Sequence, residues 1–312
     1  MAKILVTGAA GFIGSQLCDA LLARGHEVMG YDNLCAGKME NLKGALKSKR
    51  FRFVRADILD EKKIADACTE VQTIYHLAAD PVVKDSAERP GRSFEQNVAG
   101  TFRVLEAARK RGVKHFVLTS TSTVYGDAKE IPTPESAPLE PISNYGASKL
   151  AGEHYCASYA HTYGIRATAF RYANIFGERS GHGVMCDFYA KLRANPRELE
   201  ILGDGKQDKS YLHVEDCIEA SLLAVAKQRT VFEAYNIGSR KKYTVDELAR
   251  IICKIMGVKP KFSYTGGKRG WVGDVPLMLL STKKIEKLGW REKIGFEDGV
   301  RRYLKWLAAE GN

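Results

Sequence analysis

The segment Gly8-Ala-Ala-Gly11-Phe-Ile-Gly14 follows directly on an apolar run, Lys3–Thr7 (KILVT), and leads into a helical pattern of Phe12, Ile13, Leu17, Ala20 and Leu21. Glycines at this spacing between a strand and a helix leave few options. The turn is tight, the helix packs close to the strand, and the first-turn N–H groups, at the positive end of the helix dipole, face whatever the turn encloses. Gly25 ends the helix, and Glu27–Tyr31 (EVMGY) reads as the next strand. The unit spans about thirty residues, the size of a parallel β-α-β crossover. Its spacing is GxxGxxG, looser than the common dinucleotide fingerprint, so its weight comes from context. Besides the flanking strand and helix, an acid, Asp32, stands 18 residues beyond Gly14 at the end of the second strand.

A carboxylate at that place accepts hydrogen bonds from adenosine ribose hydroxyls and repels a 2′-phosphate. No arginine follows in Asn33-Leu34-Cys35-Ala36-Gly37, so the reading is NAD rather than NADP. Asp57, closing the third strand, reads similarly as an acceptor near the adenine.

Further strands are predicted at 51–56, 73–76, 115–119 and 166–171, with helices between them. The clearest helix runs over 92–111, with Phe94, Val98, Phe102 and Leu105 on one stripe and Gly112 after it. This alternation implies an α/β fold with a doubly wound parallel sheet. After Arg171 the regularity weakens through Gly-rich stretches at 177–183 and 203–209. A helix returns at Val214–Lys227, a strand at Phe232–Gly238, a capping box at Thr244-Val-Asp-Glu247, and a last amphipathic helix at Phe296–Leu307. The expected organisation is a dinucleotide-binding domain over 1–172 with a return segment at about 211–238. A smaller C-terminal substrate-binding domain takes 173–210 and 239–312.

Composition narrows the function classes. The chain has 312 residues, 45% hydrophobic and 27% charged, an ordinary globular balance. No apolar run is long enough for a membrane span, and MAKILVTG enters a strand at once, with no signal peptide expected. The net charge of +11 suits an anionic ligand such as a dinucleotide or sugar nucleotide. The basic groups, Lys47–Arg50, Arg240–Lys242 and Arg301–Arg302, are short and lack interleaved aromatics, so nucleic acid is not expected as a partner. Seven cysteines, an odd number with no CxxC or Cys/His ligand spacing, point to a reducing cytoplasm and no metal site.

Tyr145-Gly-Ala-Ser-Lys149 places a phenol and an ammonium at i and i+4, on one helix face. A nearby ammonium favours phenolate and lowers the tyrosine pKa, which suits the residue to take a proton from an alcohol and return it. Upstream, Thr119-Ser-Thr-Ser-Thr-Val-Tyr125 offers hydroxyls just past a strand. His76 and His213 read as structural residues. His182, between two glycines, reads equally as a loop residue or a border of the substrate site, and Trp271 as a pocket flank or core.

These motifs resemble the extended short-chain dehydrogenase/reductase superfamily, and within it the nucleoside-diphosphate-sugar epimerases of the UDP-glucose 4-epimerase type. The resemblance covers almost the whole chain. Its motifs, besides the glycine turn, are YDNL (31–34), AD (56–57), HLAA (76–79), NVAGT (97–101), STSTVYG (120–126), YGASK (145–149), RYANIFG (171–177), KSYLHVEDC (209–217) and GDVP (273–276).

The resemblance implies a Rossmann-like sheet and a set of roles. Gly8, Gly11, Phe12, Ile13 and Gly14 would hold the NAD pyrophosphate. Asp32, Asn33, Asp57 and Ile58 would hold the adenosine, and Leu77, Ala78, Ala79 and Asn97 would line the middle of the cofactor. Tyr145 would be the acid/base, Lys149 the ribose ligand that tunes it, and Thr121 the active-site hydroxyl, with Ser122 beside the substrate. Asn174, Lys209 and Arg269 would grip the substrate diphosphate, and Leu202 would pass the base. The family's dehydratases and decarboxylases carry an acid just after the active-site threonine. Here Ser122 and Thr123 stand there, which implies oxidation and re-reduction at one carbon: a UDP-hexose inverted at C4 through a 4-keto sugar. The alternatives are another sugar-nucleotide epimerase or reductase, acting on an N-acetylhexosamine or a uronate, and a non-catalytic NAD-binding protein. Helices 92–111 and 144–163 would pair in a homodimer. The chain departs from the family at Pro81, where several epimerases have lysine (Lys84 is near but offset), at Lys209-Ser210 for the usual Arg-Asp, and at Arg269, one or two residues out of register. Met278 stands where some epimerases gate substrate size.

Overall fold

The structure, a computed structural model, describes residues 1–267, 275 and 277–310. Arg269, Trp271 and most of the GDVP motif lie outside the described residues. The central sheet holds β1 (Lys3–Thr7), β2 (Glu27–Asp32), β3 (Phe51–Arg55), β4 (Thr73–His76), β5 (His115–Thr121), β6 (Arg166–Tyr172) and β7 (Phe232–Ile237). Their order is β7-β6-β5-β4-β1-β2-β3, and every neighbouring pair is parallel. The longer helices are α1 (Phe12–Ala23), α2 (Glu61–Ala67), α3 (Gly100–Lys110), α4 (Asn144–Tyr163), α5 (Val184–Ala194), α6 (Val214–Lys227), α7 (Val245–Met256) and α8 (Phe296–Ala309).

Parallel strands need crossovers, and the crossovers cover both faces of the sheet. The period-2 alternation of β1 sorts the two cores. Ile4 and Val6 join Leu17 and Leu21 of α1 and Cys217 and Ile218 of α6 on one face. Leu5 joins Ile64 of α2, Leu105 of α3, and Cys156 and Tyr159 of α4 on the other. The fold is thus the expected Rossmann-like doubly wound sheet. A third cluster, including Phe188, Leu199, Leu248, Val300 and Leu304, gathers α5, α7 and α8 into the smaller C-terminal lobe. The strand order reverses between β1 and β4, and that reversal opens a crevice at their carboxyl ends.

Local signals explain most boundaries. Gly25 takes φ +86° after α1, and the Gly25 and His26 N–H groups donate back to Leu22 and Leu21 carbonyls, a Schellman closure. The capping box at Thr244 and Glu247 forms in both directions. The 92–111 helix differs from expectation. Residues Pro90–Ser93 form one α-turn, Phe94–Ala99 widen to a π-helix, and only Gly100–Lys110 continue as α3. The wide turn changes the buried face: Phe94 and Phe102 are 60% and 41% exposed, while Asn97 and Thr101 point inward. All seven cysteines are free thiols. Among the described residues no helix is long and apolar enough to cross a membrane.

Two buried imidazoles tie the layers. His76 Nδ1 lies 2.7 Å from the Thr7 hydroxyl and Nε2 3.1 Å from Thr101, joining β1, β4 and α3. His115 Nε2 lies 2.8 Å from Thr168, joining β5 to β6. Burial, with the Lys149 ammonium adding, drags His76 down to about 3; burial, with Arg166 adding, drags His115 to about 4. Both are neutral in the fold, as structural residues. An unfolded chain binds these protons below about pH 6.5 while the folded chain does not, so stability falls as the pH drops through that range. We expect each imidazole to remove about 2 kcal/mol by pH 5. Denaturant midpoints at neutral pH and at pH 5 check this: wild type loses stability, and His115→Gln loses less.

Candidate active site

The crevice begins at the glycine turn. Gly8 has φ +70°, and its N–H donates to the Tyr31 carbonyl at 2.8 Å. A Cβ on Gly8 would lie 2.7 Å from the Ala78 nitrogen, and a Cβ on Gly14 would lie 2.1 Å from the Gly8 carbonyl oxygen. Only glycine allows β1, α1 and the chain after β4 to approach this closely. Gly11 is the N-cap of α1 and has no side chain to cap it, so the first helical turn keeps its backbone donors for an anion. These features form a cradle of bare backbone that fits a diphosphate.

The turn opens into a cavity of about 1060 Å³, more than one drug-sized ligand requires. Gly8, Gly11, Phe12, Ile13 and Gly14 line it. So do Asp32, Asn33 and Ile58 on one side, and Leu77, Ala78 and Ala79 beneath. Asp32 is 8% exposed. Its Oδ1 accepts from the Leu34 N–H at 2.7 Å and its Oδ2 from the Ala10 N–H at 3.0 Å. Burial raises its pKa and the two N–H groups counter that. Asp57 stands behind the wall: its Oδ2 accepts from the Asn33 amide at 2.8 Å and its Oδ1 from the Leu59 N–H at 2.9 Å. It therefore bears on the cavity through Asn33 and Ile58. Asn97 is also behind the wall. Its Oδ1 accepts from the Asp80 N–H at 2.7 Å, and its amide donates to the Ser148 hydroxyl at 2.9 Å. It clamps the chain after β4 to α4.

At the far side Thr121, Tyr145 and Lys149 meet on the cavity wall. Thr121 ends β5, and its hydroxyl accepts from the Thr123 N–H at 3.2 Å. Ser143 caps α4 through the Gly146 N–H, which fixes the turn that carries Tyr145. Burial pushes the Tyr145 phenol up to about 12, a hydrogen bond with Thr121 pulls it back, and the Asp80 carboxylate adds to the rise. Burial lowers the Lys149 ammonium to about 8, against the pull of Glu153. Spacing on one helix face brings both side chains to the cavity wall, where desolvation disfavours the charged form of each.

Sequence reasoning missed the polar layer below. Glu153, one turn beyond Lys149, meets Arg171 of β6 at 2.7 Å, both fully buried. The Ser120 hydroxyl donates to the same carboxylate. Arg171 also donates to the Tyr125 hydroxyl at 2.8 Å, which in turn donates to Asn236 at 2.8 Å. This network pins α4 to β5, β6 and β7. The i, i+4, i+8 series of Tyr145, Lys149 and Glu153 was its signal.

The C-terminal lobe supplies the rest of the wall. Asn174, Leu202, Lys209, Arg179 and His182 line the cavity. The Asn174 amide already donates to the Ser210 carbonyl at 2.9 Å. Ser122 is buried and does not line the cavity, because the chain enters a tight 3₁₀ turn at that residue. Met278 packs in a buried cluster with Val124 and Tyr125. One group of possible metal ligands occurs among the described residues, Glu178, His213 and Glu215 within 4.8 Å, and Arg302 already pairs with both carboxylates there.

Residues 4–238 match the model of the NAD dependent epimerase/dehydratase family. The chain is 36% identical to a UDP-glucose 4-epimerase of Mycolicibacterium smegmatis over 98% of each. Among solved structures it is 41% identical to a UDP-galactose 4-epimerase, with a TM-score of 0.88 and 99% of each chain covered. It is 28% identical to the UDP-glucuronic acid 4-epimerase of Bacillus cereus in complex with UDP-glucuronic acid and NAD, with a TM-score of 0.91 and 99% of each chain covered.

Gly14→Ala tests the cradle. Its methyl has backbone, not a yielding side chain, in its way. We expect the variant to retain less than a tenth of the dinucleotide that wild type carries, read as nucleotide released on acid precipitation. Full retention would contradict the cradle.

Proposed function

This chain belongs to the NAD dependent epimerase/dehydratase family and uses NAD, and from that premise we propose that it inverts C4 of a UDP-hexose of the glucose/galactose type. One observation carries the reading. Thr121, Tyr145 and Lys149 face the cavity that starts at the glycine cradle, and no carboxylate stands at 122 or 123 to remove a second proton from a sugar ring. The carboxylate that bears on Tyr145, Asp80, is turned toward Arg92 at 3.6 Å.

The cradle residues and Asp32 hold the dinucleotide, and NAD supplies the hydride acceptor and donor. The chain's own residues do the rest. Tyr145, as the phenolate that the Lys149 ammonium favours, takes the proton of the C4 hydroxyl at its phenol oxygen and later returns it to the oxygen of the 4-keto sugar. Thr121 holds that oxygen through its hydroxyl. Lys149 binds the ribose and keeps positive charge under the site. The diphosphate stays gripped by Lys209 and Asn174, with Arg269 assigned to the same grip, while the sugar turns over. Leu202 flanks the base. The buried Glu153–Arg171 layer keeps α4 from yielding as these charges change. Seven free thiols fit the cytoplasm.

Incubation with UDP-galactose, UDP-N-acetylgalactosamine and UDP-galacturonate, without added cofactor, tests the substrate. We expect UDP-glucose from the first. Conversion of one of the others alone would move the reading to the N-acetylhexosamine or uronate class. Tyr145→Phe is expected to lower turnover by at least about 10²-fold with dinucleotide still bound. Undiminished turnover would remove the assigned base.

The chain forms a homodimer in this reading, through an exposed aromatic ridge. Phe102, Tyr155 and Tyr163 are 41%, 41% and 50% exposed, and the rings of Phe102 and Tyr155 lie 5.7 Å apart across α3 and α4. Exposed aromatics gathered on neighbouring helices mark an association surface. Phe102→Glu with Tyr155→Glu is expected to give monomers in sedimentation; a monomeric wild type would overturn the assignment.

A further inference from the structure

The turn after Phe176 has features the proposed chemistry does not use. Arg179 has φ +69°, a left-handed conformation that a residue with a long side chain adopts only when its surroundings impose it. Its neighbours are fixed on two sides. Behind, Glu178 meets His213 at 3.2 Å and Arg302 at 3.1 Å, and the Tyr303 hydroxyl donates to the Ser180 carbonyl at 2.7 Å. These contacts anchor the turn to the C-terminal lobe. In front, the Gln16 amide donates to the Glu178 carbonyl at 2.6 Å, and Arg179 Nη2 donates to Asp19 at 2.7 Å. Gln16 and Asp19 belong to α1, the helix whose first turn forms the glycine cradle. The turn therefore spans from one lobe to the other beside the dinucleotide cleft.

Arg179 lines the cavity, yet its second terminal nitrogen, Nη1, is buried with no hydrogen-bond partner among the described residues. A guanidinium nitrogen buried without an acceptor is costly, and native structures rarely leave one so. Asp19 engages one arm of the fork; the other is left for an acceptor in the cavity wall's own neighbourhood, and a phosphate oxygen is the acceptor a guanidinium suits best.

We propose that residues 177–180 form a latch across the dinucleotide cleft, in which Arg179 grips Asp19 with one nitrogen and a phosphate of the bound dinucleotide with the other. This rests on the reading of the cavity as a dinucleotide site. The sugar nucleotide also carries a diphosphate. The clasp on α1, the cradle's own helix, assigns Arg179 to the dinucleotide. Release then requires the turn to part from α1, so the latch acts on the rate of cofactor loss. A reaction that regenerates its cofactor at every turnover loses nothing by holding it.

The test measures dinucleotide release directly. Protein loaded with NADH is mixed with excess NAD, and the loss of bound-NADH fluorescence gives the release rate. In a second arm, UDP is titrated into the NAD-loaded protein by calorimetry. For Arg179→Ala we expect release at least tenfold faster, with UDP affinity moved by less than twofold. Arg179→Lys keeps the charge but not the fork, and is expected between Arg179→Ala and wild type. The double variant Gln16→Ala, Asp19→Asn removes the clasp while keeping Arg179, and is expected to speed release as well; it carries the test should Arg179→Ala not fold. Release unchanged in Arg179→Ala and in the double variant, with dinucleotide bound, overturns the latch alone. A loss of UDP affinity with unchanged release overturns it in favour of the substrate diphosphate. A wild-type protein that binds no dinucleotide overturns the cofactor reading beneath it.

Discussion

The approach of two backbones at Gly8 and Gly14 is the constraint on which the rest of this molecule depends. There is no room for a single methyl between the start of α1 and the turn after β1. That closeness seats α1 on β1 and brings the chain after β4 against the same turn. It leaves the helix N-terminus bare at the point where the strand order reverses. A diphosphate bound there meets backbone donors and a helix dipole rather than flexible side chains, so affinity comes from preorganisation.

A second rigid element answers the first across the cavity. Helix α4 carries Tyr145 and Lys149, and it is held by buried polar contacts rather than by apolar packing alone: Asn97 from the side and the Glu153–Arg171 pair from below. A buried ion pair is weak evidence for stability, because desolvation offsets its attraction. Its use here is geometric and electrostatic. It fixes α4 relative to β5, where Thr121 sits, and places a carboxylate one turn below Lys149 that holds the ammonium against the pull of burial.

Much of this was legible in the sequence, and the unread parts share a cause. Local rules set the glycine turn, the ends of α1 and α7 and the position of α4, and each of these is written in adjacent residues. The π-helical turn at 94–99 is not local: Asn97 is clamped between Asp80 and Ser148, and the helix widens around it. Glu153 and Arg171 lie 18 residues apart, and nothing local pairs them until β6 is laid beside α4. The spacing of Tyr145 and Lys149 announced their proximity but not their desolvation, which depends on everything packed around them. Ser122 carries the right side chain for a substrate grip, yet it is folded inward, away from the cavity that Asn174 lines. Pattern shows which residues are near the chemistry; the packing decides which of their atoms are left to do it.

The proposed inversion requires oxidation and reduction in turn on one carbon, within one cradle that does not release its dinucleotide between them. Deuterium at C4 of UDP-galactose tests it most directly, in ordinary water with no cofactor added. The deuterium is expected at C4 of the UDP-glucose formed. Its loss to solvent during inversion would contradict hydride return, since the bond to carbon would then have been made from a proton of the medium.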